Sequence, residues 1–197
     1  MERRIARLIS IALVVAGLAG CGASAPTQFY TLDSTATLAG APIVGAAVMV
    51  GPVSIPASVD QSEFVVQVAP NRVEVDEFNR WVAPLNDIIA RTVAGDLVVL
   101  LGTPDVATSQ LANFNPAYQV TIDVQRFESV PGKTALVEAV WTVRKTAGGE
   151  TRSGRTVASE VPQGSGFDAL AAAHSHALAT LSGDIGAAIR AEASEKP

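Results

Sequence analysis

Residues 118–145, YQVTIDVQRFESVPGKTALVEAVWTVRK, carry the pattern that decides the fold. Apolar and polar side chains alternate from Tyr118 to Val124, and the alternation returns from Ala135 to Val143 after a Pro131-Gly132 turn. Because successive side chains of a strand point to opposite faces, this pattern predicts two antiparallel strands that share one apolar face. Other elements must cover that face.

The chain that follows supplies a further strand and a cover. Gly148-Gly149 is a second turn, and it leads into a weaker strand over residues 151–161. Apolar residues then recur at helical spacing from Phe167 to Ile189 and predict a helix with one apolar stripe. An earlier helix is predicted over residues 85–101, where Gly102 stops it.

Four short strand-like segments precede the first helix. They lie at residues 29–32, 47–50, 64–68 and 72–75, and the last two predict a hairpin. The resulting order, β-β-β-β-α-β-β-β-α, is typical of an α+β fold. We expect a single domain in which two helices pack against a largely antiparallel sheet.

The first 21 residues have the features of a bacterial lipoprotein signal. Three arginines precede an apolar run at residues 8–18, which is too short to span a bilayer as a permanent helix. The run ends in Leu18-Ala19-Gly20-Cys21, a lipobox, in which small residues allow signal peptidase II to cut before a lipid-modified cysteine. We predict a signal peptide over residues 1–20 and lipid attachment at Cys21. An ordinary secretory signal that happens to contain a cysteine is the alternative.

The predicted anchor holds the domain close to its membrane. Two or more acyl chains bind a bilayer stably, whereas one chain binds only marginally. Residues 21–28 form a lipidated tether, and its seven residues after the cysteine reach at most about 25 Å. Gly22 rather than aspartate follows the cysteine, which favours the outer membrane, with the domain facing the periplasm. We expect residues 193–197 to form a disordered tail.

The charge balance argues against some classes of partner. Loss of residues 1–20 removes three Arg and one Glu, and it changes the net charge from −5 to −7. An acidic domain is a poor ligand for nucleic acid or for anionic lipid headgroups. Because lipid occupies the single cysteine, no thiol is left for a disulfide, and the fold depends on its apolar core.

The sequence contains no set of residues that predicts catalysis or metal binding. His174 and His176 are about 200° apart around the predicted helix, so they cannot share a metal. Gly164-Ser165-Gly166 lacks the flanking pattern of a nucleophile elbow, and we expect Asp76-Glu77 to be solvated or paired with an arginine. We therefore predict a protein that is not an enzyme and has no catalytic residue, metal or cofactor. For His174 we expect a hydrogen bond at the margin of the core.

Phe78, Arg80 and Trp81 lie in the segment that leads into the first helix. Two interpretations are open for them. The aromatic residues would staple the helix onto the sheet, or the three residues would bind a partner, since Trp and Arg are enriched at the hot spots of interfaces.

Several segments occur in an order that points to a known family. The first are the lipobox, Phe29-Tyr30-Thr31-Leu32, and Val50-Gly51-Pro52-Val53-Ser54-Ile55-Pro56 followed by Asp60. The others are Asn71-Arg72-Val73-Glu74-Val75, Phe78-Asn79-Arg80-Trp81, Pro84-Leu85 and Ala172-Ala173-His174-Ser175. In this order the chain resembles the PqiC family, the ABC-type transport auxiliary lipoprotein component, with residues 29–192 as its domain. Ala83 and Gln61 depart from the family pattern, which has a carboxylate and a basic residue at these positions.

The resemblance implies a role with MCE (mammalian cell entry) lipid-transport systems. In these systems an inner-membrane permease and ATPase, with an MCE-domain protein as a periplasmic conduit, move hydrophobic cargo between two membranes. The lipoprotein would be the docking partner of the conduit at the outer membrane, as a ring-shaped homo-oligomer, and would support envelope integrity. A lipid-binding periplasmic carrier or chaperone is the alternative function, and it would need an apolar cavity. A third possibility, an envelope hydrolase, would depend on Ser165 or His174.

Overall fold

The structure is a computed structural model that describes residues 25–38, 40–43, 45–110, 113–148 and 151–194. The predicted signal peptide and the lipobox, including Cys21, lie outside these residues. Among the helices of the described part, none is long and apolar enough to cross a membrane.

The described chain contains eight strands and two helices. The strands are β1 (Gln28–Tyr30), β2 (Val48–Ser54), β3 (Glu63–Ala69), β4 (Arg72–Trp81), β5 (Val106–Ala107), β6 (Tyr118–Val130), β7 (Thr134–Lys145) and β8 (Thr151–Glu160). The helices are α1 (Leu85–Leu101) and α2 (Phe167–Ser194). All the predicted elements are present, and the short strand β5 is an addition to the predicted order.

The strands form two sheets, with the orders β1-β4-β3 and β5-β2-β6-β7-β8. The predicted meander β6-β7-β8 is antiparallel, and Ile122 lies opposite Trp141 in it. The pairs β1–β4, β2–β5 and β2–β6 are parallel, so the sheets are mixed rather than largely antiparallel. Parallel partners need a crossover, and β2 meets β6 only after the chain has made β3, β4 and α1. The α+β single-domain prediction is confirmed, with this correction to strand direction.

The two helices lie side by side and cover one face of the five-stranded sheet. Helix α1 packs on β2, and α2 packs mainly on β7 and β8. Burial of each large apolar side chain contributes roughly 1.5–3 kcal/mol relative to exposure, which makes this layer the main source of stability. Its fully buried members include Leu97, Leu101, Ile122, Leu178, Leu181, Ile185 and Ile189.

The ends of the helices are set by local chemistry. Helix α1 ends as predicted at Gly102, which has a φ of 64° and donates its N–H to the Val98 oxygen at 3.1 Å. Helix α2 continues to Ser194, whose hydroxyl donates to the Ala191 oxygen at 2.8 Å. Ala193 and Ser194 are therefore helical and not part of the tail predicted at residues 193–197, of which 195–197 lie outside the described residues.

The indole of Trp141 lies against the backbone of β8 at Gly154, its partner in the strand pairing. Its Nε1 donates to the Thr156 hydroxyl at 3.0 Å. A Cβ at residue 154 would lie well inside van der Waals contact with the indole ring. Glycine is required at position 154 because the Trp141 ring leaves no room for a Cβ, and not because of a positive φ.

We therefore expect Gly154→Ala to lower the free energy of unfolding by about 1–3 kcal/mol, because the indole or β8 must move. Gly183→Ala is the matched control: a Cβ at this position in α2 meets nothing within 4 Å. It should raise stability by about 0.5–1 kcal/mol through helix propensity. Urea unfolding followed by circular dichroism measures both. Wild-type stability for Gly154→Ala would contradict this packing.

Candidate functional site

After β1, residues 31–36 run across both helices as an extended segment, which we call the strap. The Leu32 oxygen accepts a hydrogen bond from the Thr92 hydroxyl of α1 at 3.1 Å. The Asp33 N–H donates to the Ser175 hydroxyl of α2 at 3.1 Å. The strap is thereby hydrogen bonded to both helices, and it is the part of the domain that comes directly after the tether and β1.

Asp96 of α1 is fully buried and accepts four hydrogen bonds. Its Oδ1 accepts from the Ser34 hydroxyl at 2.7 Å and from the N–H groups of Thr35 and Ala36 at 3.0 Å. Its Oδ2 accepts from the Ser182 hydroxyl of α2 at 2.9 Å. Hydrogen bonds to an ionised group are about twice as strong as neutral ones, and a buried carboxylate requires them. Asp96 therefore joins the strap, α1 and α2 at one point.

Our sequence prediction did not include Asp96, although the sequence carried a signal for it. A carboxylate in the apolar run Val93-Ala94-Gly95-Asp96-Leu97 has to find buried partners. The neighbouring Gly95 supports the same contact, because a Cβ there would lie 3.0 Å from the Ser34 Cβ. A small residue at position 95 allows the strap to approach α1.

Trp81 lies in the core rather than on the surface. It is 4% exposed, stacks on Phe64 with ring centroids 4.4 Å apart, and meets Phe127 edge-on at 6.1 Å. Tyr30 of β1 belongs to the same cluster, with its ring edge-on to Phe64 at 5.9 Å. These ring contacts join Trp81 to the strands β3 and β6, so Trp81 is a core residue, and its role as a staple for α1 stays a prediction.

Arg80 alternates with the buried Trp81 and reaches the opposite face of β4, and Phe78 is exposed within the bulge of the same strand. Together with Val82 and with Phe29, which pairs with Arg80 in the sheet, they form an exposed surface that we call the anchor-side patch. Phe29 is 64% exposed, Val82 59% and Phe78 42%. Arg80 Nη2 lies 3.2 Å from Glu63 Oε1, and its Nε donates to the Glu77 oxygen. The structure thus brings Phe78 and Arg80 together and separates Trp81 from them; partner binding by these residues stays a prediction.

Asp76 organises the bulge of β4 that precedes the anchor-side patch. Its Oδ1 accepts hydrogen bonds at 2.9 Å from the Phe78 N–H, the Asn79 N–H and the Asn79 side-chain amide. Burial acts to raise the pKa of Asp76, but these hydrogen bonds hold it below its ordinary value. The carboxylate is thus bound to its own strand. The bulge also breaks the alternation, which explains why the sequence pattern did not show that β4 extends to Trp81.

His174 lies in the N-terminal third of α2 and is fully buried. Its ring stacks on Phe127 at 3.9 Å, and Nε2 lies 2.8 Å from the Ser129 hydroxyl, so the expected hydrogen bond is present. Nδ1 has no hydrogen-bond partner among the described residues. Burial lowers the pKa of His174 to about 3, which keeps the ring neutral at physiological pH. Across the described ranges, no group of three or more His, Cys, Asp or Glu side chains is placed to hold a metal.

These features define a two-sheet α+β domain whose anchor-side strap is built into its helical layer. The family model for the ABC-type transport auxiliary lipoprotein component matches residues 30–186. The chain belongs to this family, and it is therefore a lipoprotein of the cell envelope and an auxiliary component of an ABC-type transport system. The match spans the strap, Asp96 and His174, and it confirms the family resemblance seen in the sequence. The comparison with curated proteins gave no match.

Solved structures show the same fold at low sequence identity. One is protein XCC0632 from Xanthomonas campestris, of the family DUF330, which is 20% identical with a TM-score of 0.68. That alignment covers 84% of this chain and 96% of the other. A second, described as an uncharacterized protein, is 18% identical with a TM-score of 0.63 and covers 86% of this chain and 100% of the other.

The Asp96 contacts predict a large loss of stability on truncation. Asp96→Ala should lower the free energy of unfolding by about 3 kcal/mol, because the buried Ser182 hydroxyl and three partly buried donors of the strap lose their acceptor at once. Asp87→Ala, which removes an exposed carboxylate from the first turn of the same helix, should lower it by at most about 1 kcal/mol. Urea unfolding of both variants compares them directly. Equal stability of the two variants would contradict the role of Asp96.

The burial of His174 predicts a pH-dependent stability. The folded ring has a pKa of about 3 and the unfolded ring about 6.5, so only the unfolded state takes up this proton between these values. Stability should therefore fall as the pH drops below 6.5, by about 2 kcal/mol at pH 5 from this residue alone. His174→Gln should lose this part of the pH dependence, whereas His176→Gln, at an exposed position, should keep it. Urea unfolding at pH 7, 6 and 5 measures the free energy of unfolding of each variant. If the two variants show the same pH dependence, His174 is not its source.

Proposed function

We propose that this chain is the membrane-anchored docking subunit of an MCE-type ABC lipid-transport system that works between the inner and outer membranes and supports envelope integrity. Acyl chains on Cys21 would hold it at the outer membrane, with the domain facing the periplasm. Its partners would be the MCE-domain protein of the conduit and, through it, the permease and ATPase. The proposal includes a ring-shaped homo-oligomer, which the resemblance to PqiC proteins implies.

The observation that carries this proposal is the family match over residues 30–186. An auxiliary component of an ABC transporter acts through contact with the transport machinery. The strap adds a physical reason, because residues 31–36 are bonded to the helices and β1 begins at Gln28. Only residues 22–27 separate the proposed anchor from β1, a reach of about 20 Å at full extension. A domain held this close to one leaflet is suited to docking and not to diffusion across the periplasm.

The alternative function, a lipid carrier, requires an apolar cavity that can hold an acyl chain. In the described part of the chain, the space between the helices and the sheet is filled by side chains of the core. Six of these core side chains are at most 1% exposed: Val120, Ile122, Val137, Leu178, Leu181 and Ile185. This packing favours docking. Native mass spectrometry tests the alternative, since phospholipid retained by the purified protein would support a carrier.

We also propose that the protein acts without catalysis of its own. The His174 ring is fully buried, and Ser129 already occupies its Nε2. Ser165 lies in the exposed turn before α2, between Gly164 and Gly166, which both have positive φ. We interpret Ser165 as a turn residue and not as a nucleophile. Ser165→Ala should therefore leave envelope function unchanged, and a hydrolase would lose it.

Crosslinking in intact cells tests the docking proposal. Full-length tagged protein should recover an MCE-domain protein together with its permease and ATPase. The control, Cys21→Ser, removes the acylation site, and recovery should fall by roughly tenfold or more because the local concentration at the membrane is lost. Recovery of outer-membrane assembly factors alone, or equal recovery of the MCE-domain protein by both chains, would contradict the proposal.

A further inference from the structure

We propose that the anchor-side patch rests in the interfacial layer of the bilayer to which Cys21 is attached, with Phe29 and Val82 in contact with lipid. The inference rests on the proposed acyl anchor and names a second, non-covalent contact between the domain and the same membrane. The occupant of the patch is a lipid surface.

The composition of the anchor-side patch fits such a surface. Phe29, Phe78 and Val82 are each at least 42% exposed. Phe29 lies on β1, Phe78 lies on the adjacent β4, and Val82 directly follows β4. Phe29 alternates with Tyr30 and therefore lies on the face opposite to the one that carries Tyr30 and Trp81. None of the three side chains is buried in the core. Aromatic and aliphatic side chains also form the apolar faces with which peripheral proteins contact the interfacial layer of a bilayer.

The charge of the patch predicts which lipids matter. Arg80 is bonded to Glu63 and to the Glu77 oxygen, so it offers little free positive charge. The whole domain is acidic, which disfavours attraction to anionic headgroups. The contact should therefore be apolar and should form equally well on zwitterionic membranes.

The position of the patch relative to the anchor supplies the second argument. Phe29 is the first large apolar residue after Cys21, eight residues along the chain. Eight residues span at most about 28 Å, so the Phe29 Cα cannot lie further than that from the Cα of the acylated cysteine. β1 pairs with β4, and the strap that follows is bonded to Asp96, so the patch cannot swing away independently of the domain. A chain anchored at Cys21 is thus confined with this face near the bilayer.

Tethering makes a weak contact sufficient. Three partly exposed side chains do not hold a soluble protein on a membrane, but attachment converts their insertion into an intramolecular step at millimolar effective concentration. The domain should therefore show contact of the anchor-side patch with lipid only when Cys21 is acylated.

Depth-dependent fluorescence quenching tests this inference on the full-length lipidated protein. Phe29→Trp and, as a second probe, Val82→Trp are reconstituted into phosphatidylcholine vesicles brominated at the acyl carbons nearest the glycerol. The native Trp81 and Trp141 are buried and give a constant background. Val157→Trp is the control, at a position that is 57% exposed on β8 in the other sheet. Bromine should reduce the added fluorescence of the two patch variants by about twofold, as for an aromatic residue at the interface, and leave the control unchanged.

The outcomes separate the two proposals. Vesicle flotation of the same samples reports the anchor. If the protein floats with the vesicles and neither patch variant is quenched, the lipid contact is wrong while the anchor stands, and the patch is then free for a protein. If the control is quenched as strongly as the patch variants, the orientation is wrong. If the lipid-modified chain does not float, the anchor fails, and the lipid contact fails with it.

Discussion

The carboxylate of Asp96 is the constraint on which the anchored end of this structure depends. It is buried between two helices and accepts four hydrogen bonds, three of them from the strap and one from Ser182. A buried charge is tolerated only when it is fully bonded, so the strap must stay in place for the helix pair to remain stable. The strap is consequently hydrogen bonded to the helical layer and is not a free linker, and a force applied at the N-terminus acts on the whole domain.

Because the strap is held by Asp96, the orientation of the domain relative to its proposed anchor is restricted. Pairing of β1 with β4 places Tyr30 in the aromatic cluster with Phe64 and leaves Phe29 on the outer face. Of these two consecutive residues, Tyr30 therefore packs in the core and Phe29 lies on the surface next to the proposed anchor. In the proposed lipid contact, the domain presents the anchor-side patch to the bilayer and leaves the rest of its surface for other contacts. The proposed docking function needs such a fixed orientation, because a conduit can dock only on a surface that is held towards it.

The sequence predicted those elements whose patterns are local. The alternation in β6 and β7, the apolar stripe of α2 and the glycine that ends α1 all depend on neighbours a few residues apart, and these predictions are confirmed. Strand direction in β1 and β2 depends on crossovers through distant elements, which alternation does not encode. The extension of β4 to Trp81 was hidden by the Asp76 bulge. Asp96 was visible only as a charge in an apolar run, and its partners, 60 to 86 residues away, could not be inferred from spacing.

Amide hydrogen exchange at Thr35 and Ala36 tests the central claim most directly. Both N–H groups donate to Asp96. If the strap stays bonded to the helical layer, these amides should exchange only when the domain unfolds globally, within about tenfold of the slowest amides of β6 and β7. Exchange at the rate of a solvent-exposed loop, while the amides of β6 remain protected, would show that the strap detaches on its own, and it would contradict the account of how this domain is held at its membrane.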